Sequence, residues 1–161
     1  MAAERRGQGG PVSGDVPQRV GRYAGELHDV TDARLDAESF LEGLARVTPP
    51  ATREHWDDIL LVVAELTANV VQYAPGPFEV RLRRTFDGVH VVVHDTSTTP
   101  PAPRPFDRGG GGGVGWHLIH TLCTQVSVVI QEDGKDIHVF LPCIKDVDGR
   151  DKPGHDECCQ R

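Results

Sequence analysis

A chain of 161 residues that is 38% hydrophobic has enough apolar material for one core and too little for two ordinary domains. Its 24 acidic against 17 basic residues give a formal charge of -7, and no basic run could track a phosphate backbone, so nucleic acid is excluded as an expected partner. No apolar run approaches the roughly twenty residues that span a bilayer, and Met1-Ala2-Ala3-Glu4-Arg5-Arg6 lacks the apolar centre of a secretory signal, so a cytoplasmic protein with no membrane partner is expected.

Residues 1–20, rich in Gly, Arg, Gln and Pro without periodicity, read as a disordered arm. Residues 144–161 read as a disordered acidic tail, with Asp146, Asp148, Asp151, Asp156 and Glu157 among Gly and Pro. Arg150 occupies the fifth position of what would otherwise resemble a calcium loop there, and no calcium site is expected. The folded unit is therefore placed at 21–143. Cys123, Cys143, Cys158 and Cys159 fit no metal-ligand spacing and are read as reduced thiols.

Within that unit a short strand is expected near Arg22 to Leu27. Thr31 then reads as the N-cap of a first helix in which Ala33, Ala37, Phe40, Leu41, Leu44 and Val47 keep helical spacing until Pro49-Pro50. Thr52 caps a second helix, Trp56 to Ala74, ended by Pro75-Gly76-Pro77. Glu79 to Arg83 and Val89 to His94 alternate like half-buried strands around the Asp87-Gly88 turn, and a long loop runs from Asp95 to about Gly113. A third helix, Gly115 to Cys123, precedes strands at Val126 to Ile130 and Asp136 to Leu141, joined at Asp133-Gly134. Grouped helices and clustered hairpins predict an α+β two-layer sandwich, with the helices on one face of a mainly antiparallel mixed sheet.

Three segments carry chemistry. On the second helix Glu65 and Asn69 project about 40° apart, opposite the apolar stripe of Trp56, Ile59, Leu60, Val63, Thr67, Val70 and Ala74. A carboxylate there can accept a proton, and an uncharged amide oxygen suits Mg²⁺; taken alone, the pair is ordinarily a solvated face. Asp95 closes an apolar strand and opens the segment Asp95-Thr96-Ser97, where it can accept from an exocyclic amine or simply form an Asx turn. Gly109 to Gly113, with Gly115, lead straight into the third helix, so free N-H groups and a positive helix end face a backbone able to approach phosphates. The ordinary alternative is a surface linker, and no Gly-Lys-Ser/Thr follows to make a Walker loop. His117 and His120 lie three apart on that helix, but no third metal ligand accompanies them.

In this order and spacing the segments resemble the GHKL superfamily of ATPases and kinases, which includes gyrase, the heat-shock chaperone ATPase, sensor histidine kinases and the mismatch-repair ATPase. Leu61 to Ala74 resembles its N box, His94-Asp95-Thr96-Ser97 its adenine-binding G1 segment, and Gly111-Gly112-Gly113-Val114-Gly115-Trp116 its G2 phosphate lid. Gly134-Lys135-Asp136-Ile137 is similar to the turn before the family's last strand. The likeness runs from about residue 22 to 142 and is nearest to the small bacterial anti-sigma factor serine kinases.

The resemblance implies the GHKL (Bergerat) ATP-binding fold, ATP or ADP as ligand, and Mg²⁺. It implies Glu65 as general base, Asn69 as the Mg²⁺ ligand, Asp95 as adenine anchor and Gly111, Gly113 and Gly115 as lid glycines, with Ser97, Val114 and Trp116 also at the nucleotide. Its expected protein partners are an anti-anti-sigma protein bearing the target serine or threonine and a sigma factor, with a homodimer as a further assembly. Val114 stands where many of the kinases carry Arg, removing a cation that would stabilise phosphoryl charge, and Arg104 and Arg108 lie upstream on a loop. Ser97 and Thr99 replace glycines of the wider superfamily. Two functions follow: a serine/threonine protein kinase of a partner-switching system, or a catalytically weak nucleotide-dependent module that sequesters a partner. A detached histidine-kinase catalytic domain is disfavoured by Glu65.

Overall fold

The computed structural model describes residues 16–47, 53–101 and 114–142. Its elements are β1 (Gln18–Tyr23), α1 (Asp29–Val47), α2 (Arg53–Tyr73), β2 (Phe78–Arg84), β3 (Gly88–Asp95), α3 (Val114–Leu122), β4 (Gln125–Gln131) and β5 (Gly134–Pro142). The strands form a single sheet in the order β1-β2-β3-β5-β4, antiparallel at every pairing. Alternation decides which face meets the helices. Phe78, Val80 and Leu82 of β2, Val89, Val91 and Val93 of β3, and Ile137, Val139 and Leu141 of β5 are buried, whereas Glu79, Arg81, His90, His94, Asp136 and His138 point to the other side. This is the expected α+β sandwich with its helices on one face. Among the described residues no helix is long and apolar enough to cross a membrane.

Two local expectations change. The first strand lies at Gln18–Tyr23, starting within the stretch assigned to the N-terminal arm, and not at Arg22 to Leu27. Long-range pairing overrides its polar sequence: it runs beside β2 from Gln18 opposite Arg83 to Tyr23 opposite Phe78. Tyr23 stacks on Phe78 with ring centroids 5.0 Å apart and donates its hydroxyl to Asp36 Oδ2 at 2.6 Å, while Arg19 also pairs with Asp36 and ties α1 to this edge. The second change is at the start of α1, which begins at Asp29 and leaves Thr31 exposed inside the first turn. The Asp29 carboxylate accepts the N-H groups of Gly25 and Glu26 at 2.9 and 2.8 Å, closing the turn that launches the helix. Thr52, the expected cap of α2, lies outside the described residues.

Helix α2 is the centre of the molecule, packed against α1, α3 and the sheet. Its buried stripe is therefore wider than periodicity alone predicts, adding Val62 and Leu66 to Ile59, Leu60, Val63, Thr67 and Val70. Each fully buried Leu, Ile or Val contributes about 1.5–3 kcal/mol of transfer free energy. The polar exception is satisfied locally, since Thr67 Oγ1 donates to the Val63 carbonyl at 2.8 Å. What remains polar on α2 is the narrow face bearing Glu65 and Asn69, and it looks into a cavity.

Candidate functional site

Glu65, Leu66, Asn69 and Val70 of α2 form one wall of this cavity of about 390 Å³. Asp95 and Ser97 close the end of β3, Lys135 and Ile137 begin β5, and Gly115 and Trp116 open α3 on the remaining side. Apolar walls with a few converging polar groups are the usual make-up of a small-ligand site.

At one end Asp95 and Lys135 are register partners on β3 and β5, facing inward from the same layer as the core valines. Both side chains are almost fully buried, and Lys135 Nζ donates to Asp95 Oδ1 at 2.9 Å and to the Ser97 carbonyl at 3.3 Å. The Ser97 N-H also donates to Asp95 Oδ1 at 2.8 Å, so the carboxylate does make the Asx turn expected of a strand-ending Asp, through one oxygen only. Gly134 makes the closure possible: a Cβ there would overlap the backbone carbonyl of Asp95, and its φ of 156° lies outside the range common to other residues.

At the other end α3 begins against the polar face of α2. A Cβ on Gly115 would meet the Glu65 carboxylate, which would have to swing aside, and would lie 3.9 Å from Asn69 Oδ1, so the helix start stands directly against the acid and the amide. The Glu65 carboxylate and the Asn69 amide oxygen are oxygen donors of the kind that a water-keeping hard cation such as Mg²⁺ takes, and the N-H groups of the nearby helix start suit the anionic groups of its ligand. Trp116 is half-buried, packs on the core and lies edge-on to His120 with centroids 4.9 Å apart, while His117 and His120 both stay on the exposed side of α3.

The structure thus gathers Glu65, Asn69, Asp95, Ser97, Gly115 and Trp116 around one cavity. Val114 is the first residue of α3. Gly111 and Gly113, with Arg104, Arg108 and the rest of the glycine run, lie outside the described residues, as do Cys143, Cys158 and Cys159. Cys123 is buried in the core and in no disulfide. Sequence reading missed Lys135. Its signal was available in β5, where a lysine occupies the same alternating face as Ile137, Val139 and Leu141.

No curated protein matches the chain. The model of the histidine kinase-like ATPase domain matches residues 24–140, from the end of β1 to β5, and takes in every described residue of the cavity. The chain belongs to the histidine kinase-like ATPase domain family.

Proposed function

We propose that this protein binds Mg-ATP in the cavity and transfers the γ-phosphoryl group to a serine or threonine hydroxyl of a partner protein, in the manner of an anti-sigma factor kinase acting on an anti-anti-sigma protein. The observation that carries the reading is the meeting of Glu65 and Asn69 with the Gly115 start of α3, in the same cavity as the buried carboxylate of Asp95. Asp95 holds the base, through the oxygen its turn leaves unused. Asn69 holds Mg²⁺, which when bound neutralises phosphate charge. Glu65 accepts the proton of the attacking hydroxyl, and the helix start with the glycine segment before it receives the phosphates.

Transfer of label from ATP to candidate partners tests this directly. Glu65→Gln keeps size and hydrogen bonding but removes the base, so transfer is expected to fall by roughly 10² or more with little change in Mg-ATP affinity. Loss of binding along with transfer would instead show that Glu65 is structural.

One observation favours the alternative, a nucleotide-dependent module that sequesters its partner without turnover. Among the described residues Lys135 is the cavity's only lysine or arginine, and its ammonium is engaged by Asp95 and the Ser97 carbonyl. No described cation faces developing phosphoryl charge. If the native chain binds ATP, transfers to no partner, and Glu65→Gln binds and releases partner as wild type does, the module reading replaces the kinase.

A further inference from the structure

Lys135 is only 5% exposed, and none of the roles assigned above uses it. An ammonium has three hydrogens to donate. Two go to Asp95 Oδ1 and the Ser97 carbonyl, leaving one without an acceptor among the described residues. Asp95 is the mirror image: its Oδ1 takes both the Ser97 N-H and Lys135, and its Oδ2 takes no hydrogen bond from the described residues. Both residues border the cavity. The end of the cavity therefore offers an unused acceptor beside an unused donor, held together by a buried ion pair.

Adenine presents the complement along one edge, since its exocyclic amine donates and its adjacent ring nitrogen N1 accepts. Resting on the ATP-binding reading above, we propose that Lys135 is a specificity-determining residue that donates to adenine N1 while Asp95 Oδ2 accepts from the N6 amine. Guanine in the same pose inverts both groups, turning its O6 carbonyl to the carboxylate and its N1-H to the ammonium. Asp95 Oδ2 and the third Lys135 hydrogen then both go unmatched, where a lone carboxylate would leave only one group unmatched. The rival role is purely structural, with Lys135 neutralising Asp95 and never touching the base.

Removing one ring atom from the ligand separates these. Calorimetry of the full chain with Mg²⁺ would compare ATP, GTP and 1-deaza-ATP, in which C-H replaces N1, against wild type and Lys135→Met, with circular dichroism to confirm folding. Wild type is expected to bind 1-deaza-ATP roughly ten- to a hundredfold more weakly than ATP, the worth of one hydrogen bond to a charged group. Lys135→Met is expected to bind the two equally and to reject GTP less strongly than wild type does. Should Lys135→Met fail to fold, Lys135→Gln keeps an uncharged donor and is expected to show a reduced N1 preference. Equal binding of ATP and 1-deaza-ATP by wild type, or an undiminished N1 preference in either variant, overturns the role of Lys135. Absence of ATP binding by wild type overturns the nucleotide reading itself.

Discussion

Strands β3 and β5 carry two acid–base side-chain pairs back to back. Asp95 faces Lys135 on the helix side of the sheet, and one register step away His94 faces Asp136 on the open side. The inner pair is 2.9 Å apart with side chains 2% and 6% exposed; the outer pair is 2.6 Å apart with 28% and 17% exposed. Backbone and strand pairing are shared, and what differs is burial and the basic partner, a lysine inside and a histidine outside. Outside, water and Gln131, which donates to Asp136 Oδ2 at 2.9 Å, can stand in for either partner. Inside, each group depends on the other for its counter-charge, because only the backbone of Ser97 otherwise stands in for water. The same ladder thus holds a replaceable contact on one face and an obligatory one on the other, and the obligatory one borders the cavity.

The sharpest way to break the contrast is to remove the inner cation. Lys135→Ala leaves Asp95 buried without a counter-charge and is expected to cost about 3–5 kcal/mol, read from urea denaturation. A loss no greater than that of the outer pair would erase the distinction. Next in size, Asp95→Asn keeps an acceptor for Ser97 and Lys135 but removes the negative charge, with an expected cost of about 1–3 kcal/mol. On the nucleotide reading it also weakens ATP binding more than tenfold, measured by calorimetry. On the outer face Asp136→Asn is expected to cost about 1 kcal/mol or less, and the cost should shrink further in high salt. An effect matching that of Lys135→Ala would mean that the open face is covered in solution.

The smallest effect is in pH. Burial first, then the neighbouring His138 and Arg83, hold the His90 imidazole below its ordinary pKa. The folded chain therefore binds fewer protons there than the unfolded chain. Stability present above the unfolded value of about 6.5 is lost as pH falls toward the folded one. His90→Phe keeps the stack on Phe140, whose ring lies 4.2 Å away, and should flatten this part of the pH profile in thermal denaturation. An unchanged slope would assign the titration to another group.

Features carried by local periodicity were legible in the sequence. The polar face of α2, the strand-ending Asp95 and the glycine at the start of α3 follow from spacing and residue type, and the structure sets them around one cavity. Features that depend on a distant partner were not. β1 is mostly polar, with only Val20 and Tyr23 among its six residues to suggest a strand, and it is held in place by pairing with β2. Val62 and Leu66 are buried because α2 packs against elements on several sides, which one periodic stripe cannot announce. Lys135 shows its face by alternation with Ile137, Val139 and Leu141, but that it meets a carboxylate emerges only when β5 is registered against β3 and its neighbour across the ladder proves to be Asp95.

β5 is the last described strand in the chain, yet it lies inside the sheet, between β3 and β4. During synthesis this order imposes a wait. A nascent chain halted before Gly134 has already made β4, which has no strand to pair with, and β3, whose inner edge stays open. Hydrophobic strands with unpaired edges are the species that aggregate or recruit chaperones. The Asp95 end of the cavity cannot exist at that stage either, since Asp95 is translated some forty residues before the lysine that partners it. Nucleotide bound at that end can therefore stabilise the folded state only after β5 has left the ribosome.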